Sequence, residues 1–359
     1  MTARLSDPLP LRRGAPLANR FMLAPLTNQQ SHADGTLSDE EFHWLTMRSQ
    51  GGFALTMTCA AHVQKGGQAF EGQLGIWSDA HLPGLARLAA AIRANGSLSA
   101  VQLHHGGRRT EPALCGEPRR APFDDPETGA TALTTSEVQS LRDDFIAAAV
   151  RAERAGFDGV ELHGAHGYML CSFLDAENNR RTDSYGGSFD NRCRILFELI
   201  DGIRASTGPD FQLGMRISPE RFGIPLAEAR ELARRLLATG QLDYLDLSLW
   251  DVFKEPAGEG YAGTRLIDHF VDLPRHATAL GVAGKITTAA TAQACLDCGA
   301  DFVLIGRGAI LHHDFPRLAI ADPAFTARPL PVNSATLAAE GLSAKFIRYM
   351  GNWQGFVAD

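Results

Sequence analysis

Two histidines three positions apart, His163 and His166, with Tyr168 two residues further on, are the residues best suited to chemistry on an oxygen-bearing small molecule. An imidazole N–H can donate to a substrate oxygen and stabilise negative charge that develops there. A phenol, with a reference pKa of about 10, can hand a proton to a carbanion. As metal ligands the pair lacks the Glu of an H-E-x-x-H arrangement and an evident third partner. Two loop histidines held by backbone carbonyls would have the same spacing, so on residue types alone a catalytic and a structural role stand level. A second group is Gly284-Lys285 with Gly306-Arg307-Gly308, where glycine N–H groups and fixed cations suit a phosphate; Lys285 is one of four lysines in the chain. The competing explanation is that these glycines merely permit tight turns. Cys295 and Cys298 form a C-x-x-C, but it sits in a helical pattern with no second pair, which reads as packing thiols.

These residues stand at the ends of a repeated unit. A helix, a glycine, an Asp and a short apolar strand recur at Ala155-Gly-Phe-Asp to His163, at Thr239-Gly-Gln-Leu-Asp to Ser248, and at Cys298-Gly-Ala-Asp to Gly306. Each glycine stands where a helix end turns left-handed before a strand. Ser136 is expected to cap a helix running to about Ala155, with Val138, Leu141, Phe145 and Ala149 on one face, and a second helix is expected over Leu226 to Ala238. Further apolar strands are expected at Phe21 to Ala24, Phe53 to Met57, Leu98 to Leu103, Gln212 to Ile217 and Val282 to Ile286, which brings the number to eight. Eight apolar strands alternating with helices predict an α/β fold, a (β/α)₈ TIM barrel, over an open doubly wound sheet. No linker divides residues 1–359, so one domain is expected; residues 104–135, rich in Gly, Pro and Arg, read as an insertion after strand three that covers the active face.

Composition narrows the function. Hydrophobic residues make up 45% and charged residues 21%, the balance of a chain that buries a large core. A net charge of −7 disfavours binding to nucleic acid or an anionic membrane. The N-terminus has no basic stretch followed by an apolar run, apolar runs are too short to span a bilayer, and six scattered cysteines suit reduced thiols, so a cytoplasmic location is expected.

The run His163-Gly-Ala-His-Gly-Tyr-Met-Leu-Cys-Ser-Phe-Leu, followed by Asn179-Arg-Arg-Thr-Asp-Ser-Tyr-Gly-Gly-Ser188 and Asn191-Arg192, resembles the signature of the old yellow enzyme family of FMN-dependent oxidoreductases. Ala24-Pro-Leu-Thr27, Gly75-Ile-Trp-Ser-Asp79, Gln102-Leu-His-His-Gly-Gly-Arg108 and Ile305-Gly-Arg307 resemble its other motifs, in order and over nearly the whole barrel. The resemblance implies FMN, with NADPH or NADH as reductant, and reduction of activated C=C bonds in enones, nitroalkenes or maleimides. It implies that His163 and His166 bind the substrate's carbonyl or nitro oxygen and that Tyr168 protonates the α-carbon. Pro25, Leu26, Thr27, Cys59, Gln102, Arg216, Gly284, Lys285, Gly306 and Arg307 are implied on the cofactor: Thr27 at a flavin carbonyl, Gln102 at the pyrimidine edge, Arg216 near N1, and the last four at the phosphate. Thr27 stands where some members carry Cys, Gln29 and Cys59 where others differ, and Asp175-Ala176 replaces a Ser-Pro-like pair, departures that bear on substrate preference. Larger relatives append an iron–sulfur segment; no cysteine cluster follows strand eight here. No G-x-G-x-x-G follows a strand, in keeping with nicotinamide and alkene using one pocket in turn. Rival readings are an oxidative amine dehydrogenase or demethylase on the same barrel, and a flavin-binding module without catalysis. The physiological alkene, the choice of NADH or NADPH, and homo-oligomer formation stay open.

Overall fold

The structure is a computed structural model and describes residues 3–258 and 260–358. Eight parallel strands close into a barrel: β1 Phe21–Leu23, β2 Leu55–His62, β3 Leu98–His104, β4 Gly159–Gly164, β5 Gln212–Ile217, β6 Tyr244–Ser248, β7 Ala279–Ala283 and β8 Phe302–Ile305. Each strand pairs with its chain neighbours, and β8 returns to β1 with Phe21 opposite Val303. The connecting helices are α1 Asp39–Gln50, α2 Leu82–Ala94, α3 Thr135–Arg154, α4 Phe189–Ser206, α5 Leu226–Ala238, α6 Asp268–Val271, α7 Ala289–Asp297 and α8 Phe315–Ala321, and near the C-terminus lies α9 Ala344–Gly351. This is the (β/α)₈ TIM barrel that the alternation of elements predicts.

Period-two alternation sorts each strand between two cores. Outward residues such as Val101, Leu103, Val160, Leu162, Leu213 and Met215 pack under the helices, while Met22, Leu55, Met57, Tyr244, Phe302 and Leu304 fill the barrel interior. Large interior rings sit over glycines: a Cβ on Gly214 would lie 2.1 Å from the Tyr244 ring, and one on Gly281 2.1 Å from Phe302. Only glycine lets these rings seat without displacing a strand.

Several boundaries differ from expectation, three of them for reasons the structure shows. Helix α3 starts at Thr135, capped by Thr134 and not by Ser136: Thr134 Oγ1 accepts from the Glu137 N–H at 3.2 Å and Glu137 Oε2 accepts from the Thr134 N–H at 2.7 Å. The segment Thr134-Thr-Ser-Glu137 is a capping box, in which both exchanges satisfy otherwise orphaned donors. Strand β7 ends at Ala283 and does not run to Ile286, because Gly284 (φ +152°) and Lys285 (φ +51°) leave extended backbone at once. Strand β2 continues past Met57 to His62 through a register shift between Met57 and Ala60. Beyond β3, the 104–135 segment holds a two-stranded ladder of Arg120–Ala121 with Thr131–Ala132, and its Arg108, Arg109 and Thr128 face the cleft at the C-terminal ends of the strands.

Candidate active site

A cleft of about 1100 Å³ opens at that end of the barrel. Strand ends feed it in turn. Pro25, Leu26 and Thr27 come from the loop after β1, Gln102 from β3, and Arg216 from β5. His163, His166 and Tyr168 come from β4 and the turn after it; Gly284 and Lys285 follow β7, and Gly306 and Arg307 follow β8. Cys59 is the exception. It is buried in the layer between barrel and helices, where burial, followed by the charge of Glu41 on α1, pushes its thiol well above the ordinary range. The extra residue at the β2 register shift turns Cys59 outward, and Ala60 lines the cleft in its stead.

The histidines form a chain. His163 Nε2 lies 2.9 Å from His166 Nδ1, and His166 Nε2 lies 2.7 Å from Ser248 Oγ at the end of β6. Burial, followed by the positive charge of Arg216, pushes His166 down to about 3. Burial and the neighbouring histidines hold His163 well below its usual value. Both rings are therefore neutral at physiological pH. His166 sits at φ +64°, a left-handed conformation that costs a non-glycine residue energy. It is held there by its own N–H on Ser218 Oγ (3.0 Å) and by Arg109 Nη1 on its carbonyl (2.9 Å).

Tyr168 stands beside this pair. Its ring meets His104 edge-on at 4.4 Å and lies 5.1 Å from His163. The Arg109 guanidinium stacks 4.4 Å above it. Burial raises the phenol's pKa and Arg109 draws it partly back, so the group is a neutral O–H donor at the cleft wall.

Beneath the cleft floor lies a cluster of charge. Gln102 Nε2 donates to Glu161 Oε1 at 2.8 Å, and Arg216 Nε approaches Asp246 Oδ2 at 2.9 Å, close but out of line for a hydrogen bond. The opposite end of the cleft suits a phosphate monoester. Arg307 has no ion-pair partner among the described residues, and around Gly306 a Cβ would meet only the Leu26 and Ala24 side chains, at 3.6 and 4.0 Å. Lys285 is paired with Asp251 at 3.1 Å. Gly284 must be glycine: a Cβ there would lie 2.7 Å from the Trp250 backbone.

Outlying residues hold these loops. Glu41, wholly buried on α1, accepts from Asn28 Nδ2 at 3.0 Å and from Ser31 Oγ, which pins the loop that carries Thr27. Arg48, also buried, donates to the Ala309 carbonyl at 2.9 Å and steadies the turn after Arg307. Several residues in and beneath the cleft went unread in the sequence. Ser248, Glu161 and Asp246 are polar at inward strand positions, a signal that alternation carries. Tyr349 on α9 and Trp353 just beyond its end also line the cleft, and nothing in the sequence says which surface they cover.

The cleft, the glycine-lined cationic end and the neutral donor set fit a flavin mononucleotide with room for a second ligand. The sequence profile of the NADH:flavin oxidoreductase / NADH oxidase family matches residues 4–321. The probable NADH-dependent flavin oxidoreductase YqiG of Bacillus subtilis (strain 168) is 35% identical over 84% of this chain and 84% of its own length. The chain is 33% identical to the NADH:fumarate oxidoreductase of Klebsiella pneumoniae (strain 342), over 87% of this chain but 35% of that longer protein. The solved old yellow enzyme homologue of Zymomonas mobilis superposes with a TM-score of 0.82 at 26% identity, covering 96% of this chain and 99% of that one. Within a barrel of this geometry these matches leave one assignment: the chain is an FMN-dependent NAD(P)H oxidoreductase and belongs to the NADH:flavin oxidoreductase / NADH oxidase family, that of the old yellow enzyme.

Proposed function

We propose that the enzyme reduces activated C=C bonds, as in enones, nitroalkenes and maleimides, and that His163, His166 and Tyr168 carry the substrate chemistry. The observation behind this reading is the neutral, mutually hydrogen-bonded histidine pair with a phenol packed against it in the same cleft. Bound FMN would supply the chemistry of hydride transfer from NADH or NADPH to the alkene. Gly284, Lys285, Gly306 and Arg307 would hold its phosphate, and Gln102, Thr27, Pro25 and Leu26 would hold the flavin.

The protein's part is to polarise and protonate. A carbonyl or nitro oxygen that enters between His163 Nε2 and His166 Nδ1 replaces their mutual hydrogen bond and accepts from both, which draws electron density from the β-carbon. The donors must be neutral imidazoles, as burial makes them, because cations this deep would demand a counter-charge. Tyr168 then supplies the proton to the α-carbon, and Arg109 over its ring eases the charge left on the phenolate. Arg216 sets a cation beneath the site to offset the negative charge that reduction brings, in a setting where fixed charge acts strongly.

The test is a stopped-flow comparison of the two half-reactions, with a cyclic enone and an N-methyl amine as alternative second substrates. The proposal expects rapid reoxidation by the enone alone; reoxidation by neither, or flavin reduction by the amine, overturns it. In His163→Ala with His166→Ala, enone reoxidation and phenol binding should both fall by about 100-fold or more, the scale of losing oxyanion donors.

A further inference from the structure

The floor of the cleft holds more acid than base. Glu161, Arg216 and Asp246 are inward residues of consecutive strands β4, β5 and β6, and Glu161 and Asp246 expose none of their surface. Glu161 Oε1 receives Gln102, but Glu161 Oε2 is buried with no hydrogen-bond partner, and neither oxygen of Asp246 has one. Two carboxyls thus share one guanidinium, that of Arg216. The other groups facing them are Gln102 on β3, His163 on β4 and Tyr244 on β6; Tyr244 has a buried, unpartnered hydroxyl and His163 is neutral. Gly214, between Glu161 and Tyr244 in register, contributes no side chain that would separate the acids. A buried cluster with an uncompensated negative charge is costly, and protonation of one carboxyl removes that cost.

We propose that Glu161 and Asp246 form a buried proton acceptor that takes a proton from solvent when reduction adds negative charge above Gln102 and Arg216. This rests on the reading that Gln102 and Arg216 underlie the flavin. Hydride passes from nicotinamide to flavin with both its electrons, and that exchange neither releases nor consumes a proton. The additional proton bonds to a carboxylate oxygen of the pair; nothing else is oxidised or reduced. The direction follows from charge. Burial and mutual repulsion push Glu161 up to about 8, and burial pushes Asp246 up to about 6 against the pull of Arg216, so near pH 7 the pair holds about one proton and has room for a second. New negative charge near Arg216 weakens its hold on Asp246 and favours that second proton. The two acids are positioning residues: Glu161 acts through the Gln102 amide and Asp246 through the Arg216 guanidinium.

The experiment mixes FMN holoenzyme with one equivalent of NADH at pH 7, without oxygen, in weak buffer containing a pH indicator. Wild type should take up a substantial fraction of one proton per flavin reduced, and Glu161→Gln with Asp246→Asn less than a tenth of that. Wild type without uptake, or equal uptake in the double variant, overturns the proposal. A second measurement needs no variant. The midpoint potential of wild type should follow more than one proton per two electrons between about pH 6 and pH 8 and one outside that window; one throughout overturns the proposal. NADH that fails to bleach the flavin counts against the reductase reading instead, and the pH slope of the potential still tests the acid pair.

Discussion

His166 Nε2 lies 2.7 Å from Ser248 Oγ, and that contact fixes which of its nitrogens faces the substrate position. Arg216 Nη2 donates weakly to Ser248 Oγ at 3.4 Å, so the hydroxyl hydrogen is free to point at His166 Nε2. His166 then carries its proton on Nδ1, toward His163, a tautomer assigned from the hydrogen-bond network. His163 Nδ1 is buried with no partner, so nothing opposes a shift of the His163 proton to Nε2 when a substrate oxygen arrives. One tautomer is held and the other can adapt.

Ser248→Ala removes the group that sets His166. The expected result is a fall of about tenfold in kcat/KM for an enone, equivalent to about 1.4 kcal/mol of transition-state stabilisation, with flavin reduction by NADH or NADPH nearly unchanged. Equal slowing of both half-reactions would show that Ser248 acts on the cofactor and not on the histidine.

Tyr168→Phe keeps the ring against His104 and His163 and removes only the O–H. Alkene reduction should slow by about 10² to 10⁴, the usual worth of a positioned proton donor, while flavin reduction persists. A nitroalkene should suffer less than an enone, since its nitronate is stable enough to leave and be protonated in water. Pre-steady-state traces with the two substrates give the ratio.

The barrel was legible because the strands are apolar and three αβ junctions carry a glycine, at Gly156, Gly240 and Gly299, and the place of His163, His166 and Tyr168 at a strand's end was legible with it, whereas a role for them came only from the resemblance. Cys59 was not. Strict alternation from Leu55 and Met57 turns it inward, and only the irregular register with β3, a property of the paired strands, turns it to Glu41. Lys285 was placed in a strand because Val282 to Ile286 is apolar around it, whereas the close passage of the Trp250 backbone over Gly284 breaks the strand. Ser248, Glu161 and Asp246 gain meaning only once β4, β5 and β6 are neighbours.

Buried neutral histidines make stability depend on pH. Burial lowers His62 to about 4, His105 to about 3 and His166 to about 3. The unfolded chain binds their protons below about pH 6.5 and the folded chain does not, so stability is full above that value and falls as the solution is acidified toward the folded values. At pH 5 each contributes a loss of about 2 kcal/mol, from 1.36 kcal/mol per unit over roughly 1.5 units. His105→Asn, whose Oδ1 can take the place of Nδ1 as acceptor for the Gly107 N–H, should flatten the fall in Tm between pH 7 and pH 5. An unchanged slope would mean that His105 titrates normally in the folded state.

Glu41 links the fold to the loop that carries Thr27 into the cleft. Its carboxylate receives Asn28 and Ser31 in a fully buried position, and burial raises its pKa against those two hydrogen bonds. Glu41→Ala strands both donors without water, at about 1–3 kcal/mol each. Thr27 and Leu26 then lose the anchor that orients them toward the cleft. The variant should melt several degrees lower and bind FMN more weakly, with the larger effect on flavin affinity if the loop moves as a unit. Glu41→Gln retains one acceptor oxygen and should recover part of both losses. A lower Tm with unchanged flavin affinity would show that the Asn28–Ser31 anchor serves the fold alone.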